Sequence, residues 1–393
     1  MRRHAQRHRV RTTAAMAVLL ATFVAPPAAA ANDERVRPLT DLDGNPVLLH
    51  GLNTASNAKD SADAMPEVSP GDVRAEKDRL DSNAVRLLVF WSKVEPRPGV
   101  YDESYLDQVA ERVSWYRNNG MRVVLDMHQD LWGPETGTSR NNGAPAWASH
   151  FDGLPVKPNE DNWALTYLQP GVVRAFDHFW GTSGEHPELQ EHYAAAWKHV
   201  AQRFAGDRAV LGYDLMNEPW GGSVPWPFFE RNQLGPMYQR VIDAIREVDD
   251  QHWTMVEPQA LGVNQALHPS SLPDLDDPRP GPERIAYAPH LYPLLLESGQ
   301  DYTGAAKTFT RGAVDRWFKY NTDTARRLNA PMVLGEFGLD ATKPGALDYV
   351  DAVRERTREA GASWMYWSND PGPWAPRDER GDWAPLADHL DRQ

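Results

Sequence analysis

The chain has 393 residues, 41% hydrophobic and 24% charged, with 41 basic residues against 55 acidic ones and no cysteine. That length can bury one large core or two smaller ones. A net charge of −14 argues against nucleic acid and anionic surfaces as electrostatic partners. The missing thiols exclude disulfides, a thiol nucleophile, cysteine-based metal sites and a lipoprotein anchor.

The chain opens with an export pattern. "MRRHAQRHRVR" is basic, "TTAAMAVLLATFVA" is apolar, and "PPAAAAND" offers a small-residue cleavage site after Ala31. The apolar run is too short and too alanine-rich to favour a membrane span, so an uncleaved anchor is the weaker reading. Arg2-Arg3 hints at a twin-arginine route that its neighbours do not support well. The expectation is a secreted protein with a signal peptide at 1–31 and a catalytic domain at 32–393. Cleavage would remove five basic residues and no acidic one, leaving a net charge of −19.

Strand-like and helical runs then alternate. The strand candidates are "VLLHGLN" (47–53), "AVRLLVFW" (84–91), "MRVVLDMH" (121–128), "AVLGYDLMN" (209–217), "HWTMVEP" (252–258), "RIAYAPHLY" (284–292), "PMVLGEFG" (331–338) and "SWMYWS" (363–368). Most are continuous apolar runs, the signature of parallel strands buried on both faces. Between them "ESYLDQVAERVSWYRNNG", "PMYQRVIDAIREVDD", "AVDRWFKYNTDTARRL" and "GALDYVDAVRERTREAG" carry apolar residues at helical spacing, with glycine stops at Gly120 and Gly361. The stretch from Leu131 to Pro187 shows little regular pattern and reads as a loop excursion. Eight strand–helix units predict an α/β fold, a single-domain (β/α)8 TIM barrel. The alternative is a doubly wound open sheet, but no glycine-rich phosphate fingerprint supports it.

In such a barrel the carboxyl ends of the strands face the active site. Here they carry Arg86, then Asp126-Met127-His128-Gln129-Asp130, Asn217-Glu218, His290-Leu291-Tyr292, Glu336 and Trp367. Any one of these is weak evidence; their convergence on one rim carries the weight. Glu218 and Glu336 end strands on opposite sides of the barrel. Two carboxylates facing across a cleft suit glycoside hydrolysis, where one gives a proton to the leaving oxygen and the other attacks the anomeric carbon. Asn217 could hydrogen-bond a sugar hydroxyl, Tyr292 could donate to Glu336, and Trp367 could floor the sugar. The histidines lack paired helical spacing, and this chemistry needs no ion, so neither metal nor cofactor is expected.

Asn-Glu-Pro after the fourth strand and Gly-Glu-Phe-Gly on the seventh resemble glycoside hydrolase family 5. "LDMHQD", "GAPAWA", "QPGVVRAFDHFW", "YDLMNEPWGGS", "PQALGVNQ", "PHLYPL" and "YWSNDPGPW" are similar to its endoglycoceramidase branch, over roughly residues 38 to 376. The resemblance implies a retaining mechanism, with Glu218 as general acid/base and Glu336 as nucleophile. It implies that Lys59, Asp126, His128, Asp130 and Trp180 bind sugar, with Arg86 and His290 in support. The substrate would be a glycosphingolipid, met through transient contact with a micelle or membrane surface, and the enzyme a monomer. The apolar loops "VPWPFFE" and "LYPLLLES" would then receive ceramide through Trp226, Phe228, Phe229, Leu294, Leu295 and Leu296. Their alternative role is loop-to-loop packing. The branch usually carries a β-sandwich after the barrel, whereas here only "GDWAPLADHLDRQ" remains for a final helix. Two rival functions stay open: a family 5 glycanase acting on cellulose or mannan, and a catalytically inactive glycolipid-binding protein.

Overall fold

A computed structural model describes residues 35–391 apart from 138 and 160–162. The expected signal peptide at 1–31 lies outside the described residues. Among the described residues there are ten short strands: β1 (His50–Asn53), β2 (Ala84–Val89), β3 (Arg122–Met127), β4 (Val210–Asp214), β5 (Trp253–Val256), β6 (Ile285–Tyr287), β7 (His290–Leu291), β8 (Val333–Leu334), β9 (Glu336–Phe337) and β10 (Ser363–Tyr366). The main sheet runs β6-β5-β4-β3-β2-β1-β10-β8, and every pairing in it is parallel. A parallel bridge from Tyr287 to Met332 and the β7–β9 pair close the circle. These eight barrel positions, with helices between them, make the (β/α)8 barrel that the alternating runs predict.

The sixth and seventh runs each split in two. Pro289 has no N–H for the ladder, and its carbonyl instead accepts from Gly335 N at 3.1 Å. Beyond that step the strands re-pair with His290 opposite Glu336. Gly335 is required here, because a Cβ at this position would lie 2.9 Å from the His290 ring.

Strand periodicity sets the interior. An apolar cluster including Leu49, Ala84, Val124, Met255, Ala286 and Met365 fills the barrel toward the strands' N-terminal ends. Side chains alternate faces with period two. Stepping two residues on from Ala84, Val124, Met255 and Met365 therefore gives Arg86, Asp126, Glu257 and Trp367 on the same inward face, one layer nearer the mouth. The helices supply the outer layer. Helix Glu103–Asn118 buries Tyr105, Leu106, Val109, Val113 and Tyr116 at helical spacing. Its N-cap, Asp102, accepts from Tyr105 N at 3.0 Å, satisfying one free amide of the first turn. Helix Ala346–Ala360 ends at Gly361 with φ +67°, a left-handed cap that glycine adopts without strain.

The stretch 131–187 is more regular than expected. It contains a helix at Pro170–Phe179, opened by proline at its first turn, and a 3-10 segment at Trp163–Leu168. The final helix is Leu386–Asp391. Among the described residues no helix is long and apolar enough to cross a membrane.

Candidate active site

Arg86 lies at the centre of the mouth. A cation inside an apolar strand needs partners, because burying it unpaired costs several kcal/mol. Its Nε donates to Asp214 at 2.8 Å, Nη1 to Glu336 at 2.7 Å and to Asn53 at 3.0 Å, and Nη2 to Asn217 at 2.9 Å and Glu257 at 2.8 Å. Asp126 is a further 3.0 Å contact. One fully buried guanidinium thus faces four carboxylates. Asp214 sits well above the usual carboxylate range, because burial, with Glu257 and Asp126 adding to it, outweighs Arg86.

Glu218 and Glu336 meet over this layer. A carboxylate oxygen of each, together with a ring nitrogen of His290, all lie within 4.8 Å of one another. Glu336 receives Arg86 on Oε1 and the Tyr292 hydroxyl on Oε2 at 2.9 Å. Glu218 Oε1 accepts from Asn264 Nδ2 at 2.8 Å and lies 3.0 Å from His290 Nδ1. Glu218 has φ +44°, a left-handed conformation that costs a non-glycine residue of order 1–3 kcal/mol. Two contacts hold it there: its N–H donates to Glu257 Oε2 at 2.8 Å, and Gln129 Nε2 donates to its carbonyl at 2.9 Å. Burial pushes the Glu218 carboxyl up, and the charges of Glu336 and Asp130 add to that against the pull of His290. Burial opposes charge on His290, but Glu257, Glu336 and the contact with Glu218 outweigh it and raise the imidazole well above its ordinary range. His290 Nε2 lies 3.2 Å from Glu257.

A second polar group lines one side of the mouth. Lys59 Nζ donates to Asp130 at 2.7 Å and lies 4.7 Å from the centre of the Trp367 ring. Trp367 stacks on His128 at 5.5 Å with 12° between the planes. Burial alone would raise Asp130; Lys59 and His128 outweigh it and hold the carboxyl well below the usual range.

Several candidates take other places than their motifs suggest. Asp126 is fully buried, paired with Arg86 and 2.7 Å from His128 Nδ1, so it orients that imidazole from below. Asn217 is buried as well: its Oδ1 accepts from Arg86 and its Nδ2 donates to the Gln129 carbonyl at 3.0 Å, leaving one amide hydrogen for a ligand. Trp180 is 4% exposed, with Nε1 donating to the Trp220 carbonyl at 2.7 Å and its ring 4.8 Å from Phe229. The helix Pro170–Phe179 delivers it to the core. Phe229 is completely buried beside it and lines no groove. Trp226 stacks on His268, and Leu296 packs against the core. Phe228 (59% exposed), Leu294 (52%) and Leu295 (36%) do present apolar surface. Asp214, Glu257, Asn53 and Asn264 were not singled out from the sequence, and Gln129, though read at the end of the third strand, was given no role. For Asp214 and Glu257 a signal existed, since each is an acid in or at the end of an otherwise apolar strand, as Arg86 is a base in one.

A (β/α)8 barrel whose mouth carries two acids this close, one with its proton affinity raised, has the architecture of a glycoside hydrolase. The family described as Cellulase (glycosyl hydrolase family 5) matches residues 40–373, and the chain belongs to that family. It is 29% identical over 344 residues to endoglycoceramidase I of Rhodococcus hoagii, covering 84% of this chain. The chain spans 66% of the length of that relative and 48% of the length of the endoglycoceramidase of Cyanea nozakii. The structure resembles endo-glycoceramidase II from Rhodococcus sp. in complex with ganglioside GM3, with a TM-score of 0.87, 51% identity, and coverage of 91% of this chain and 81% of that one. The same enzyme solved as a lactosyl-enzyme intermediate matches with a TM-score of 0.86, 51% identity, and coverage of 90% and 80%.

Proposed function

We propose that the protein is a retaining endo-glycosidase that cleaves the bond between the glycan and the ceramide of glycosphingolipids. The observation that carries this reading is the pair Glu218 and Glu336, with carboxylate oxygens within 4.8 Å of each other. Retaining enzymes hold their carboxyl groups about 5–5.5 Å apart, whereas inverting ones need about 6.5–9.5 Å to admit a water.

The partners divide the two roles. Glu218 Oε1 already accepts from Asn264 and meets His290, so Oε2 is the oxygen that carries the proton. Glu336 attacks the anomeric carbon, the bond to the ceramide oxygen breaks, and the Glu218 proton passes to that oxygen. Forming the glycosyl ester removes the Glu336 charge, one of the influences that raise Glu218. Glu218 then takes a proton from water as the water displaces Glu336. Lys59, Asp130 and Trp367 form the sugar-facing wall. His128, Asp126, Arg86 and His290 position the groups that touch substrate.

Phe228, Leu294 and Leu295 form the apolar side of the mouth, where ceramide leaves. The 3-10 segment 163–168 adds exposed Trp163, Leu165 and Leu168 beside Tyr167, whose ring is 5.4 Å from Trp220. Burying a few hundred Å² of alkyl chain there would contribute several kcal/mol at about 25 cal/mol per Å². That supports transient contact with a micelle or bilayer surface. Residues 1–31 support export with cleavage after Ala31, and a site assembled within one chain supports action as a monomer.

Mass spectrometry of products from a glycolipid panel, run beside carboxymethylcellulose, tests the reading. Intact oligosaccharide plus ceramide is expected. Stepwise loss of single sugars would refute an endo mode, and activity on the polysaccharide alone would return the protein to the family's glycanases.

A further inference from the structure

Away from the catalytic mouth, the excursion between β3 and the helix Glu188–Phe204 gathers three imidazoles. His150 follows the turn at Ala146–Ala148, His178 lies in the last turn of helix Pro170–Phe179, and His186 sits in the bend before Glu188. The His150 and His186 rings lie 3.6 Å apart with 8° between their planes, and His178 meets His186 edge-on at 4.9 Å.

We propose that His150, His186 and Glu188 form a binding site for a divalent transition cation of the Zn²⁺ type. One donor atom from each lies within 4.8 Å of the others. A tetrahedral Zn²⁺ with ligands at about 2.0–2.1 Å needs donors about 3.4 Å apart, so the donors must close by up to about 1.4 Å and one imidazole must turn out of the parallel stack to bring both in-plane lone pairs onto the ion. The His150 and His186 rings are half-buried and Glu188 is exposed, so side-chain rotation alone supplies both movements. Two imidazoles and one carboxylate make a borderline donor set that suits zinc, copper or nickel better than the all-oxygen cations.

The surroundings favour a cation. Glu188 Oε1 is 3.1 Å from His186 Nδ1, Asp152 lies 3.1 Å from His178 Nε2, and Glu185 is also near. Arg174, paired with Asp152 at 2.8 Å, is the opposing charge in this group. His178 is already engaged on both sides, by Asp152 and by Ser183 Oγ at 2.8 Å, so it supports the His186 ring from beneath. The site is separate from the catalytic machinery and has a structural role. A bound ion ties the loop carrying His150 to the bend after helix Pro170–Phe179. The same helix holds Asp177, which accepts from Ser223 N at 2.8 Å in the loop that follows Glu218. The staple thus steadies the excursion that walls the mouth, and it departs from the metal-free expectation of the sequence without entering the chemistry.

The test uses the full chain, freed of any polyhistidine tag and dialysed against chelator. Zn²⁺ is titrated by calorimetry and Co²⁺ by its visible ligand-field spectrum. One equivalent, tetrahedral cobalt bands and a higher melting temperature with Zn²⁺ are expected. The double variant His150→Gln/His186→Gln should weaken binding by about tenfold or more. Glu336→Gln should bind as the parent does, which separates this site from the Glu218–His290–Glu336 cluster. Absence of binding by the parent, equal binding by the double variant, or loss of binding in Glu336→Gln would each overturn the proposal.

Discussion

Replacing Arg86 with methionine removes the one guanidinium that Asp126, Asp214, Glu257 and Glu336 share, while keeping much of the side-chain volume. Each of those contacts is 3.0 Å or shorter, and Arg86 and its acids are nearly or fully buried. Breaking a buried pair costs about 3–5 kcal/mol, because the remaining charge stays buried without a partner. Against a typical native stability of about 5–15 kcal/mol that is a large fraction. The loss should depend on pH with a defined sign. Asp214 already binds its proton more tightly in the folded chain than in the unfolded one because of burial, and removing Arg86 takes away the charge that opposes this. The folded state then holds the extra protons, so stability falls as pH rises. Urea unfolding of parent and variant between pH 4 and pH 8 should show a gap of about 3–5 kcal/mol near neutrality that narrows toward pH 4. A gap under about 1 kcal/mol at pH 7, or one that widens on acidification, would show that Arg86 does not neutralise a buried acid cluster, since an exposed ion pair is worth no more than that.

Glu218→Gln should lower turnover of a glycolipid by about 10²–10⁴-fold, and by much less for the first step on a substrate whose leaving group needs no proton; equal losses on both would remove Glu218 from the acid role. With Glu218 raised by burial and by Glu336, the parent's activity should hold through the range where an ordinary carboxyl is ionised and fall only as pH passes the raised value, which a pH profile of kcat/KM reads directly. Phe228→Ser with Leu294→Ser should raise KM for a glycosphingolipid while leaving a soluble aryl lactoside unaffected; parallel losses would deny the apolar rim its role. Glu76, buried under Asn369 and raised by burial to about 8, makes the fold lose stability as pH rises from the unfolded carboxyl range toward that value. Glu76→Gln should flatten that slope in thermal melts between pH 5 and pH 8.5, and an unchanged slope would assign it to other groups.

The barrel was legible because strands buried on both faces leave continuous apolar runs, and eight of them stand out along the chain. Glu218 and Glu336 were legible because a carboxylate at the end of such a run has no place in the core. The layer beneath them was harder to read. Asp214 and Glu257 are held by Arg86 across strands that lie far apart in sequence, and one-dimensional spacing carries no trace of that pairing. Trp180 and Phe229 misled for the opposite reason. An aromatic in a loop motif looks alike whether it faces a ligand or the core, and only the path of helix Pro170–Phe179 shows that these two pack on each other. That helix itself was hidden inside a stretch of glycines, prolines and turns, although Pro170 and the apolar residues after it were a start signal.

Everything rests on Glu336 forming a bond to the sugar while Glu218 stands opposite. Incubating the protein with a 2-deoxy-2-fluoro lactosyl fluoride, followed by peptide mapping by mass spectrometry, tests this directly. One glycosyl adduct is expected, carried by the peptide that contains Glu336 and absent in Glu336→Gln. An adduct on Glu218 or on any other residue, or fluoride release without an adduct and with inverted sugar, would contradict it.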